Sequence, residues 1–165
     1  MKIGLAVLRM VVGLLFVGHG LQKLAGMFGG HGLEATAAGF EGMGLRPGKA
    51  NAVAAGVSET AGGALIAAGL ATPVGAAMIS GAMSSAIWHV HAPNGPWVTS
   101  GGWEYNVVLM AVVFAITAEG PGQLSLDHAL RIDRSGPALA VAQLAAGVLG
   151  TAAVAARAKS LAPAA

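Results

Sequence analysis

The residues able to do chemistry in this sequence are few and unevenly placed. Glu59 is the single charge between Ala50 and Leu70, while His19, Lys23, His91, Glu104 and Tyr105 stand at the ends of apolar runs. An ionisable group inside an apolar run is costly in lipid, so it is expected to face a bundle interior, a partner or a cavity. A carboxylate held there can relay a proton, and an imidazole or phenol can hydrogen-bond a carbonyl oxygen. Together those parts suit a quinone, and they equally suit a lipid-binding or partner-binding surface. Glu59 also has a purely structural reading, as the partner of Arg9 or His19. Antiparallel packing of the first two apolar helices would bring Arg9 and Glu59 within about 9 Å along the axis, which makes them the expected buried ion pair. His89 and His91 are two residues apart, and without a third imidazole or a fixed carboxylate they assign no metal. His19 and His89 invite a haem, but nothing in the sequence fixes their separation.

These residues must be positioned by long apolar helices. The chain reads as a single integral membrane domain, 1–165, of the all-α class: a polytopic membrane four-helix bundle over 3–24, 50–70, 73–89 and 103–118, with 137–156 read as a fifth transmembrane helix. The first run follows Lys2 as a signal peptide would. It is too long for one, contains Arg9 and lacks a small-residue cleavage signal, so it is taken as a retained helix. Ala71-Thr72-Pro73 breaks the central run, with Thr72 expected to cap the next helix and Pro73 to open it. Met27 to Lys49 is a Gly-rich connection in which Leu33 to Met43 could form a short interfacial helix. His89 to Gly102 is a polar loop bracketed by Trp88, Trp97 and Trp103, as expected at a membrane surface. Gln123 to Ser135 is polar and belongs outside the hydrocarbon.

Alternating helix direction collects His19, Lys23, His89, His91, Glu104 and Tyr105 at one end of the bundle, with Glu59 about 14 Å deeper along its helix. The other end has only the Ala71 to Pro73 turn, which is expected to be bare. Lys23 could snorkel to headgroups or bind an acidic group. Orientation signals conflict, since Lys2 argues for an internal N terminus whereas Lys23, Arg46, Lys49, Arg157 and Lys159 pull the opposite side inward. The N terminus is placed inside.

Composition agrees with a membrane protein: 55% of the 165 residues are apolar and only 10% charged, with mean hydropathy +0.70. The 26 glycines suit close helix packing in lipid. Seven acidic against nine basic residues, with no basic run, give no electrostatic basis for a nucleic-acid partner. With no cysteine, the chain has no disulfide, thiol redox or iron-sulfur chemistry of its own.

The sequence resembles the DoxX family of small bacterial integral membrane proteins, related to the small subunit of thiosulfate:quinone oxidoreductase. Arg9 with Phe16 and Gly18-His-Gly-Leu-Gln-Lys-Leu24 carry the resemblance in the first helix; Glu59-Thr-Ala-Gly-Gly-Ala-Leu65 and Gly69-Leu-Ala-Thr-Pro73 carry it in the second. It continues through His91, Gly101-Gly-Trp-Glu-Tyr105 and Gly120-Pro-Gly-Gln-Leu-Ser-Leu-Asp127. The resemblance implies an accessory subunit of a quinone-linked or other redox complex in the bacterial cytoplasmic (inner) membrane. Quinone is the one cofactor it suggests, and membrane lipids and a redox protein are the partners. The alternative is a non-catalytic scaffold or assembly factor. His19, Lys23, Glu59, His91, Glu104 and Tyr105 are the candidate ligand-binding residues, and Arg9 with Glu59 the candidate structural pair.

Overall fold

The computed structural model describes residues 3–161, and Lys2, used above for orientation, lies outside them. Among the described residues the chain is helical with no strand: α1 (Ile3–Ala25), α2 (Gly32–Gly42), α3 (Gly48–Ala68), α4 (Thr72–Ala86), α5 (Glu104–Glu119), the short α6 (Leu126–Ala129) and α7 (Pro137–Ser160). A π-helical turn, Ile87–His91, prolongs α4 before the loop. Two of these helices, α1 and α7, are long and apolar enough to cross a membrane.

Glycine sets the seams between helices. In α1, Gly13 lies against Gly63 and Ala67 of α3, and Gly20 lies against Gly56 and Thr60, so the two helices run antiparallel almost backbone to backbone. A Cβ at Gly63 would stand 2.5 Å from the Gly13 carbonyl oxygen. Gly62 and Gly75 make the corresponding contact between α3 and α4, and Gly81 and Gly147 between α4 and α7. Small residues let helix backbones approach closely, which replaces the hydrophobic drive that is missing in lipid. The order across the bundle is therefore α1, α3, α4, with α5 and α7 packed on α4 and on each other. Phe16, Ile66, Ile79, Val113 and Ile116 fill the centre.

The seam between α4 and α7 is also polar. Ser80 donates to the Gln143 side-chain oxygen at 3.1 Å, and Thr151 donates to the Gly81 carbonyl at 2.9 Å. Gln143, Gly147 and Thr151 recur every four residues, which puts them on one face of α7. Such interhelical bonds are worth about 0.6 kcal/mol each on average in membrane bundles.

The end of the bundle at the turn between α3 and α4 is not bare. Gly69 ends α3 in the left-handed region at φ 62°, and the Leu70 N–H reaches back to the Leu65 carbonyl at 2.9 Å. Asp127, 2% exposed, then takes over the capping of α4. Its carboxylate accepts from the Ala71 N–H at 2.7 Å, the Thr72 N–H at 3.1 Å and the Thr72 hydroxyl at 2.9 Å. The expected Thr72 cap is thus replaced: the residue is one position inside the helix, where its hydroxyl serves as donor. The Asp127 N–H donates to the Gly69 carbonyl at 2.8 Å, so one residue satisfies the end of α3 and the start of α4.

Arg9 belongs to this end as well. It is 1% exposed, its Nη2 donates to the Leu124 carbonyl, and the Asp127 carboxylate lies close enough to act on it through its charge. The expected Arg9–Glu59 pair does not form, and helix register explains why. The Gly13–Gly63 and Gly20–Gly56 contacts set Arg9 level with Gly69, whose missing Cβ leaves the space that the guanidinium occupies. Glu59 is ten residues back along α3, about 15 Å away at 1.5 Å per residue.

Candidate functional site

Glu59 is 6% exposed and meets Lys23, whose Nζ donates to its Oε2 at 2.6 Å. Lys23 stands near the C-terminal end of α1, about one turn beyond the level of Glu59, which its four-carbon stem can span. The lysine side chain keeps 27% of its surface exposed while the carboxylate keeps 7%. The pair therefore has one buried member and one that reaches toward open space. A charge-assisted bond of this length is stronger than a neutral one, and its partial burial limits screening.

The pair forms part of the wall of a cavity of about 480 Å³. That volume is within the usual range for small-molecule sites, about 300 to 1,000 Å³. Five segments contribute. Lys23 comes from α1; Phe40, Met43 and Leu45 come from the end of α2 and its connection; Asn51, Ser58 and Glu59 come from α3; Met78, Ser85 and His89 come from α4 and its π turn; Thr151 and Val154 come from α7. Alanines and glycines make up much of the rest, among them Ala54, Ala77, Gly81, Gly147 and Gly150, and these small side chains leave it wide. The wall is mostly apolar, with its charge concentrated at Lys23 and Glu59.

His89 adds a second polar group. Its Nδ1 lies 2.9 Å from the Ser85 carbonyl oxygen, which can only accept, so Nδ1 carries a proton. In the neutral ring Nε2 is then the acceptor, and in the protonated ring it becomes a donor. Among the described residues, no three His, Cys, Asp or Glu side chains form a group that could hold a metal ion.

The remaining sequence candidates lie away from this wall. His91 Nδ1 donates to the Gly101 carbonyl at 2.7 Å, and Glu104 accepts from the Val98 N–H at 2.9 Å. Those two bonds close the loop between α4 and α5, together with the Glu104 N–H on the Pro96 carbonyl at 2.8 Å. His19 Nδ1 meets the Gln22 side-chain oxygen at 3.0 Å, and Gln22 in turn donates to the Phe28 carbonyl at 3.2 Å. Tyr105 is exposed, as are Trp88 and Trp97. Of the six candidates, Lys23 and Glu59 are the two that line the cavity.

Sequence reasoning missed the part of the wall contributed by α2 and α7. The segment before α3 is tied down by Glu41, which accepts from the Gly48 N–H at 2.5 Å and pairs with Arg46 at 3.3 Å, and by Glu34, which meets Lys49 at 2.7 Å. These bonds hold Phe40 and Met43 over the cavity. Their only signal in the sequence is the pair Glu34 and Glu41 in α2 ahead of Arg46 and Lys49 around Pro47, a pattern equally typical of a solvated loop.

Comparison with curated proteins and with solved structures gives no match. Residues 4–92 match the DoxX family. The matched segment runs from α1 to the end of the π turn, and so contains Arg9, Lys23, Glu59 and His89, while Glu104, Tyr105 and α7 fall beyond it. With more than half of its length matched, the chain belongs to DoxX, a membrane-associated family.

Proposed function

We propose that this protein is an accessory integral membrane subunit of a quinone-linked or other redox complex in the bacterial cytoplasmic membrane, and that the cavity beside Lys23 and Glu59 binds a quinone-like amphipathic ligand. The observation that carries the reading is a mostly apolar cavity of about 480 Å³ with one ion pair, 2.6 Å long, in its wall. An apolar pocket with a few polar groups is what orients a largely hydrophobic ligand with a polar head. A quinone bound there would supply the electron-accepting chemistry that a cysteine-free chain has no thiols to provide. The Lys23 ammonium is a donor for a carbonyl oxygen, His89 Nε2 can hold or give a proton, and Glu59, 2.6 Å from the Lys23 Nζ, orients it. The α2 segment covers the site with Phe40 and Met43.

Binding of menadione to the protein in lipid nanodiscs tests the proposal. The wild type is expected to bind saturably, and Lys23→Met or His89→Ala to weaken binding at least tenfold, about 1.4 kcal/mol. His19→Ala and Tyr105→Phe, outside the wall, are expected to bind as wild type does. Each variant is first checked for an unchanged helical spectrum, and Lys23→Met, which is expected to melt earlier because it strands Glu59, is titrated below its own transition. Failure of the wild type to bind, repeated with its native membrane partner present, would move the weight to a non-catalytic scaffold.

A further inference from the structure

Three glycines line the cavity, and they have different reasons to be there. A Cβ at Gly147 would stand 2.7 Å from the Gly81 nitrogen and 2.9 Å from the Ala77 carbonyl oxygen, so α7 could not approach α4 with any larger residue. Gly81 is its counterpart across the same seam, where an added Cβ would meet the Gly147 backbone from 3.4 Å. At Gly150 an added Cβ would meet nothing within 4 Å. Its φ is not in the left-handed region, and it lies in the interior of a 24-residue helix. Glycine there costs helix stability relative to alanine and gains no contact within the chain. The space it leaves belongs to the cavity.

The rest of this wall indicates which part of a ligand passes there. Ala146, Gly150 and Val154 offer no polar side-chain atom, and the Thr151 hydroxyl already donates to the Gly81 carbonyl at 2.9 Å. The ion pair and His89 come from α1, α3 and the end of α4 instead. We infer that α7, through Gly150, sets the girth allowed to the apolar tail of the ligand, whereas the α1, α3 and α4 side of the cavity recognises its head. This makes α7, which lies beyond the matched family segment, a determinant of ligand class: a polar head that carries a long apolar tail. The inference rests on the ligand-binding reading above.

Two probes with the same ring separate the roles: a long-tailed menaquinone and tail-less menadione, each titrated onto the full chain in nanodiscs. Gly150→Leu is expected to weaken long-tailed menaquinone at least tenfold and to leave menadione within twofold of wild type. Gly150→Ala, which adds one methyl to open space, is expected to weaken the long-tailed probe less than Gly150→Leu does and to leave menadione unchanged, and both variants should melt no lower than wild type. Equal binding of the long-tailed probe by Gly150→Leu and wild type overturns the inference while leaving the parent reading intact. Equal loss of both probes also overturns it, because the residue would then act on the head site or on folding. A wild type that binds neither probe overturns the parent reading and this inference with it.

Discussion

Lys23 and Arg9 are two cations on one helix, and the fold uses them at opposite ends. Arg9 donates from Nη2 to the Leu124 carbonyl and fills the gap at Gly69, within reach of the charge on Asp127, while Lys23 holds Glu59 at the edge of the cavity. A guanidinium presents several fixed donors to carbonyls and carboxylates, whereas an ammonium on a flexible stem can pair with a buried acid and still reach water. The sequence made Glu59 legible as the group to explain, because a lone charge in an apolar helix has to be satisfied. It did not make the partner legible. Choosing between Arg9 and Lys23 requires the helix register, and that is set by glycine contacts which no charge pattern reveals. Coupling measurements should follow the geometry. Lys23→Met strands a carboxylate that is 6% exposed, and is expected to cost about 3 kcal/mol, the low end for a broken buried pair because lysine is the more exposed partner. Adding Glu59→Gln to Lys23→Met should restore part of that loss, whereas Arg9→Gln and Glu59→Gln should be additive in detergent unfolding. Strong non-additivity between Arg9 and Glu59 would contradict the register described here.

At the scale of the element, glycine content separates into residues that the packing needs and residues that it does not. Gly63→Ala drives a methyl into the Gly13 carbonyl and the Phe16 Cβ, the latter at 2.8 Å, where rigid backbone on both helices leaves little room to yield. Gly18, on the same pair of helices, has nothing within 4 Å of an added Cβ. The expected outcome is a loss of about 2 kcal/mol for Gly63→Ala, in the range for overpacking, and a gain of up to about 1 kcal/mol for Gly18→Ala from helix propensity. Thermal unfolding of the two variants side by side checks this, and equal effects would deny the seam its role. Helices were the readable part of this fold because charge-free runs, Pro73 and Pro137 at helix starts, and Gly69 at a helix end are local signals. Asp127 was not readable as the cap of α4. It lies 55 residues beyond Thr72 in a polar stretch, and only the folded chain returns it to the turn. The cavity was half readable for the same reason: Glu59 and Lys23 announce themselves as charges, while the Ala and Gly that make room, and α2 and α7 that close the wall, look like ordinary apolar sequence.

The whole molecule divides its helices by what surrounds them. Length and apolar character together single out α1 and α7, each with 28% of its most apolar window buried, whereas α4 and α5 are shorter, at 15 and 16 residues. The central α3 and α4 bury Glu59, Thr72 and Ser80 among other helices. That α3, α4 and α5 cross as well, five crossings in all, is a proposal that the sidedness of the connections tests. The contact of Asp127 with Ala71 and Thr72 sets the segment after α5 beside the turn between α3 and α4, at the end opposite the connection that carries Gly48. Reporter fusions should therefore report Gly48 and Asn94 on one side of the membrane, and Ser125 on the other. The C terminus should fall with Gly48, since α7 completes an odd number of crossings. A C terminus on the side of Ser125 would mean that α7 does not cross, and would leave the wall containing Gly147, Gly150 and Thr151 to be explained by a helix lying against the bundle. Opposite signals at Gly48 and Asn94 would be more damaging, because α3 and α4 would no longer form a hairpin and the cavity between them would lose its common end.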